Sequence, residues 1–205
     1  MNRAPQRRTL RDDGVMELDR ETCFQIFRTR DVRYDGRVYI AVKTTGIYCR
    51  PICPARSPKP ENVVFYPSAA AAQAAGFRPC LRCRPEVAPT HAAWRGTSNT
   101  VSRALSLIDK GALDDADVDA LADRVGVGAR HLRRLFDKHL GASPIAVAQT
   151  RRVLRAKQLI HDTQMTMAEV ALASGFSSIR RFNETFQQLF HRPPSTLRRT
   201  RPRLL

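Results

Sequence analysis

Four cysteines stand in two close pairs, Cys49 and Cys53 in "TTGIYCRPICP" and Cys80 and Cys83 in "FRPCLRC". Three residues separate the first pair, two the second, and 26 residues lie between the pairs. So short a spacer lets both members of a pair reach one ion, and four thiolates suit tetrahedral Zn2+, one per chain. The total of five cysteines is odd, which argues against a disulfide framework. Cys23, the fifth, falls on the apolar side of a predicted helix and reads as a small buried hydrophobe. Two chemistries are open to the set. One is a closed site that helps a core of about 70 residues to fold. The other is a thiolate that stays ionised at neutral pH and attacks an electrophilic carbon. Lys43, Arg50, Arg56, Arg78, Arg82 and Arg84 crowd the same stretch and would draw phosphate to it. An alkylated phosphate in DNA is then the attractive electrophile, because methylation removes its negative charge.

The charge of the whole chain points the same way. Lys and Arg total 35 against 19 Asp and Glu, a formal +16, and both halves share the excess. Nucleic acid is the leading partner, since each neutralised phosphate releases counterions; the bland alternative is a merely soluble basic protein. No run of about 18 apolar residues exists to span a membrane. The basic N-terminus lacks the apolar segment of a secretory signal, so the expected location is the reducing cytoplasm, where cysteines serve as ligands or thiols before disulfides.

Which elements would position these residues? Residues 1–18 read as a flexible basic tail, 19–89 as the zinc domain, 90–98 as a linker holding Trp94, 99–199 as a helical domain and 200–205 as a basic tail. A helix is expected over 19–31 with Asp19 as N-cap. After the turn signal Asp35-Gly36, Val38, Ile40 and Val42 alternate with Tyr39, Ala41 and Lys43 as a strand leading to Cys49. Residues 50–62 carry four prolines and form a loop. "VVFYP" is a strand, and "SAAAAQAAGF" a helix from Ser68 to a C-cap at Gly76. Beyond residue 99 the pattern is helical: Val101, Ala104, Leu105 and Ile108, then "DVDALADRVG", "ARHLRRLFDKHLG", a long helix from Ser143-Pro144, "TMAEVALASG" and "SSIRRFNETFQQLFH". The acidic run 114–119 reads as the flank of a helix N-terminus. The fold class is a small α+β zinc domain followed by an all-α domain with two helix-turn-helix units.

Each unit has a reading helix with a buried stripe: Leu132, Leu135, Phe136 and Leu140 in one, Ile179, Phe182, Phe186, Leu189 and Phe190 in the other. Outside lie Arg130, His131, Arg133 and Arg134 in the first, and Ser177, Ser178, Arg180, Arg181, Asn183 and Gln187 in the second. These side-chain types bond base edges or phosphates, and all ten are candidate contacts to double-stranded DNA. A helix over 144–162 would be about 28 Å long, and adjacent major grooves lie about 34 Å apart. One chain can thus fill two grooves, and a monomer suffices. The alternative is a basic bundle whose arginines only solvate its surface.

"MAEVALASGFSSIRRFNETFQQLFHRPPSTLRR", with Ala-x3-Gly-Phe-x-Ser at its centre, resembles the AraC-type DNA-binding domain over about residues 99–199. "AVKTTGIYCRPICPARSPKPENVVFY" and "AAGFRPCLRCRPE" resemble the N-terminal domain of the Ada family of DNA methylation-repair and regulatory proteins over about residues 19–88. The resemblance implies that Cys49 takes a methyl group from a methylphosphotriester in DNA and binds zinc together with Cys53, Cys80 and Cys83. It places DNA contacts at Thr45, Arg56 and Arg78. Pro54 occupies a contact position that is basic in the best-known member, and Arg50 nearby is expected to compensate. It further implies a single-turnover transfer that leaves a thioether, followed by transcriptional activation of the alkylation response through RNA polymerase. Two alternatives stay open: a transcription factor with a purely structural zinc, and the N-terminal part of a larger fusion carrying a DNA glycosylase.

Overall fold

A computed structural model describes residues 19–89 and 99–198. The expected tails, the linker with Trp94, and residue 199 lie outside the described residues.

The first helix, α1 (Arg20–Arg28), starts where the Asp19 carboxylate accepts the Thr22 N–H at 2.8 Å, and it buries Cys23, Ile26 and Phe27. Strand β1 (Tyr39–Val42) turns at Thr44–Gly46 into β2 (Ile47–Cys49). Then follow β3 (Val63–Tyr66), α2 (Ala69–Ala74) and the two-residue β4 (Arg78–Pro79). The sheet order is β3-β1-β2-β4; β1 runs antiparallel to both neighbours, while β4 is parallel to β2. A parallel neighbour needs a crossover, and β3 with α2 supplies it. The consequence is chemical: β2 ends at Cys49, and Cys80, the residue after β4, donates its N–H to Tyr48 O at 3.0 Å. The sheet itself brings the two cysteine pairs side by side.

One local expectation needs correction, at the end of α2. The strand expected to lead to Cys49 is β1 with β2, and in it Tyr39 and Ala41 are as buried as Ile40. One face of the sheet packs on Ala72 of α2, the other on Phe27, Val63 and the cysteines, so both sides are dry. The C-cap of α2 is Ala75, with Gly76 just beyond it at φ +90°.

The helical domain comprises α3 (Asn99–Asp109), α4 (Val118–Val125), α5 (Ala129–Leu140), α6 (Pro144–Asp162), α7 (Met167–Ala173) and α8 (Ile179–Phe190). Asp117, Ser143 and Ser178 cap α4, α6 and α8, and Thr166 with Glu169 forms a capping box on α7. Val101, Leu121, Leu132 and Phe136 centre one core; Val153, Ile160, Val170, Phe182 and Phe186 centre the other. Phe176, Phe182, Phe186 and Phe190 form a run of ring contacts with centroids 4.8 to 5.3 Å apart. Ile179, expected in that stripe, is 46% exposed, because it is the first residue past the cap and precedes the packed turns.

The acidic run does more than flank α4. Asp117 is its N-cap, but Asp114 accepts from Arg151 Nη1 at 3.1 Å and Arg152 Nε at 2.9 Å, both on α6. This carboxylate also lies against the α7–α8 turn: a Cβ on Gly175, whose φ is +86°, would sit 2.3 Å from Asp114 Oδ2. Gly175→Ala should therefore cost about 2 kcal/mol from left-handed backbone strain alone, plus displacement of a carboxylate held by two arginines. Urea denaturation of the variant measures this.

The two domains pack together along α6. Ala70 and Ala71 of α2 meet Ala142, Ala146 and Val147 at its N-terminal end. Ser68 Oγ accepts the Ala71 N–H at 3.0 Å and donates to Leu140 O at 2.7 Å, so one hydroxyl serves the start of α2 and the end of α5. A 3-10 turn, Pro85–Val87, lies against the C-terminal half of α6.

Candidate metal centre

Strand β2 delivers Cys49, and a turn closed by Cys53 N–H to Arg50 O (3.1 Å) brings Cys53 back to it. Strand β4 delivers Cys80, and the next turn delivers Cys83. The four sulfurs all lie within 4.8 Å of one another, and all four residues are buried. A compact, buried, all-sulfur donor set fits a tetrahedral thiophilic ion such as Zn2+.

The thiols perturb one another strongly. Cys49 is pushed far above the usual thiol range, first by its hydrogen bond with Cys53 and then by those with Cys80 and Cys83. Cys53 is drawn down to about 7, first by the bond from Cys49. Cys80 is driven far down by the bonds from Cys49, Cys53 and Cys83. These opposed directions have one cause: four sulfurs so close share protons, and an ion with four thiolates replaces all of them.

Hydrogen bonds from the backbone are unequal. Arg82 N–H reaches Cys80 Sγ at 3.3 Å, Arg50 N–H reaches Cys83 Sγ at 3.4 Å, and the Ala55 N–H bonds Cys53. At Cys49 Sγ the dominant hydrogen bonds are those with the other three thiols.

Arg50 is not where sequence reasoning put it. The residue is 7% exposed, and its guanidinium forms a two-pronged pair with Asp35, Nε to Oδ1 at 2.8 Å and Nη2 to Oδ2. Its Nη1 also donates to Cys83 O at 3.1 Å. Asp35, 3% exposed, requires a buried cation, and Arg50 supplies it while tying the two cysteine turns together. It does not reach outward to compensate for Pro54.

Thr45 and Arg56 are exposed. Arg78 is half-buried, with its guanidinium 6.0 Å from the centre of the Phe190 ring; burial, then Arg192, lowers its pKa. On α5, Arg130, His131, Arg133 and Arg134 are all exposed; Arg134 Nη2 meets His131 Nδ1 at 2.9 Å and Arg133 pairs with Asp119 at 3.6 Å. Ser177, Ser178, Arg180, Arg181, Asn183 and Gln187 are also exposed, although Ser178 is committed as the α8 cap and Arg180 pairs with Glu184 at 2.8 Å. A cleft of about 860 Å³ runs beside α8, lined by Arg180, Arg181 and Glu184, with Gln149 and Arg152 of α6 and Gln73 of α2. The zinc domain thus stands at the rim of the second reading helix.

Four residues that matter here escaped the sequence reading: Asp35, Asp114, Glu86 and Lys157. Lys157 carried a usable signal, since it lies four residues after Val153 and three before Ile160, within the apolar face of α6.

Comparison with known proteins adds independent findings. Residues 22–86 match the metal binding domain of Ada, and residues 121–200 match a helix-turn-helix domain. A probable bifunctional transcriptional activator/DNA repair enzyme AlkA of Mycobacterium tuberculosis is 44% identical over 89% of this chain and 37% of its own length. The bifunctional transcriptional activator/DNA repair enzyme AdaA of Bacillus subtilis is 31% identical over 91% of this chain and 85% of its own length. The solved DNA methyl phosphotriester repair domain of Escherichia coli Ada is 51% identical, covering 34% of this chain and 75% of that one, with a TM-score of 0.32. The chain spans little more than a third of the mycobacterial relative. No helix among the described residues is long and apolar enough to cross a membrane. The four-cysteine cluster inside the matched metal binding domain is a site for one zinc ion. With one such relative aligned over 85% of its length and both family models matched, the chain belongs to the Ada/AdaA family of bifunctional proteins.

Proposed function

We propose that the chain repairs methylphosphotriesters in DNA by moving the methyl group onto Cys49, and that the methylated protein then activates transcription. The observation that carries this choice of sulfur is the unequal hydrogen bonding of the four thiols. Exposure does not select among Cys49, Cys80 and Cys83, which are all nearly covered. A backbone N–H bonded to sulfur withdraws electron density from it; such bonds reach Cys53, Cys80 and Cys83, whereas the bonds that dominate at Cys49 are those with the other thiols. When bound, zinc keeps the sulfurs ionised at neutral pH without a general base. Cys49 Sγ forms a bond to the methyl carbon in line with the breaking C–O bond, and that electron pair leaves with the phosphodiester oxygen. No proton moves. The thioether product is not reversed, so each molecule acts once.

The transfer removes one negative charge from the cysteine site, from about −2 to about −1, which weakens repulsion of the DNA backbone. Thr45 and Arg56 offer an exposed phosphate-binding edge beside the site, and Arg78 joins it by leaving Phe190. The reading helices α5 and α8 present their exposed Arg, Asn, Gln and Ser side chains to adjacent major grooves, spaced by α6. A monomer meets these requirements. RNA polymerase is the proposed partner for activation, and the cytoplasm the proposed location.

The test is intact and peptide mass spectrometry of the zinc-loaded chain after incubation with DNA carrying methylphosphotriesters, beside unmodified DNA. One added methyl on Cys49, seen only with damaged DNA and absent from Cys49→Ser, is the expected result. No transfer, with zinc retained and DNA still bound, would leave a regulator with a structural metal.

A further inference from the structure

Lys157 is the cation that the DNA-reading domain should not contain. It sits in the middle of α6 with its side chain 0% exposed. Its Nζ lies 2.5 Å from Oε2 of Glu86, which belongs to the zinc domain and has a side chain 1% exposed. Glu86 Oε1 in turn accepts Arg84 Nε at 3.0 Å. Arg84 reaches across to Asp162, at the end of α6, with Nη2 at 2.8 and 2.9 Å from its two oxygens. The backbone at Arg84 is left-handed, φ 52°, and the carbonyls of Cys83 and Arg84 are both taken by Arg50. A short chain of bonded groups therefore runs from Cys83 through Arg84 and Glu86 to α6.

A second connection is apolar. Leu81, between Cys80 and Cys83, packs against the core that contains Phe182, Phe186 and Phe190. The turn carrying two of the four sulfurs is thus seated on the second helix-turn-helix unit by a leucine and by an ion pair. Such a pair forms only while the domains are docked. Taking away one partner would leave the other charged and buried, whereas replacing both by neutral groups leaves nothing uncompensated.

We propose that Lys157 is a positioning residue for the metal site of the other domain: through Glu86 and Arg84 it holds the Cys80–Cys83 turn, and a loaded cysteine site in return steadies α6 and the second reading helix. Thermodynamic linkage requires the effect to run both ways with the same magnitude. The inference rests on the zinc site and does not depend on methyl transfer.

The experiment uses the full zinc-loaded chain. Zinc release into excess chromogenic chelator is timed for the wild type, Lys157→Met, Glu86→Gln and the double variant, with Leu121→Ala, in the core of the first helix-turn-helix unit, as a control for loosening the helical domain away from the pair. Hydrogen exchange of α6–α8 is followed in the wild type before and after zinc removal. Lys157→Met should speed release about five-fold or more, the double variant should release zinc no faster than the quicker of the two single variants, and Leu121→Ala should change it little. Zinc removal should raise exchange in α6–α8. Equal release rates in wild type and a folded Lys157→Met would overturn the proposal, as would equal acceleration by Leu121→Ala. Should Lys157→Met not fold, unchanged exchange on zinc removal, or wild-type release from Glu86→Gln, overturns it instead.

Discussion

A chelator at neutral pH should unfold residues 19–89 while the helices of the second domain remain formed. Of the seven buried residues in the cluster beneath the sheet, four are the cysteines; Phe27, Ile40 and Val63 are the others. That core is organised around an ion rather than around apolar volume. A structural zinc site contributes roughly 10–16 kcal/mol of apparent binding energy at neutral pH, as much as the whole stability of an ordinary domain, about 5–15 kcal/mol. The expected record is loss of hydrogen-exchange protection across β1–β4 with most of the far-ultraviolet helical signal retained. Protection that survives chelation would mean the sheet holds without metal. The same site sets a pH dependence. The metal-free cluster carries thiol protons and the loaded one carries none, so affinity rises with pH while thiols still hold protons and falls as acid returns them. With Cys53 drawn down to about 7 and Cys49 pushed far higher, the loss should be steep below neutrality, and binding should release more than one proton per ion. Release that is indifferent to pH would contradict ligation by the thiols.

The second large effect lies under the metal site. Asp35→Ala removes the carboxylate held by Arg50 and leaves a guanidinium buried beside the cysteine turns. Breaking one side of a buried pair costs about 3–5 kcal/mol. Because Arg50 also donates to Cys83 O and, through its backbone, to Cys83 Sγ, the variant should lose zinc sooner as well as unfold sooner. Urea denaturation with zinc present reads the first effect and chelator kinetics the second. Removing both charges in Asp35→Leu/Arg50→Met should be far milder than Asp35→Ala alone. A loss under about 1 kcal/mol in Asp35→Ala would mean that Arg50 finds water, and with it that the pair is not an anchor.

Much of this was legible in the chain. The spacing of Cys49, Cys53, Cys80 and Cys83 named their common ion because two pairs of thiols, each with two or three residues between its members, have the spacing of a metal site. Helices α3–α8 announced themselves through apolar period and caps, down to Ser143-Pro144 and the Gly175 turn. What escaped depends on contacts between distant segments. Strand β4 is two residues long and contains a proline, so nothing local marks it; its partner β2 creates it. Arg50 reads as a surface cation until Asp35, fifteen residues earlier, is seen to face it. Asp114 reads as a helix flank until α6 brings Arg151 and Arg152 to its side. Lys157 sits on the apolar face of α6 because that face is covered by another domain, and a periodicity argument has no term for a neighbour that arrives from seventy-one residues away.

The packing along α6 has a consequence for how such a chain can vary. The distance from the Cys49 sulfur to the two reading helices is set by side chains: Ser68 on Leu140, the alanines of α2 on the start of α6, Leu81 on the phenylalanines, Glu86 on Lys157. The length of polypeptide between the domains does not enter that distance. Over generations, that spacing is kept by the side chains on both faces of the interface, and a change at Lys157 or Glu86 bears on it directly. The geometry joining the sulfur to α5 and α8 is inherited through the interface.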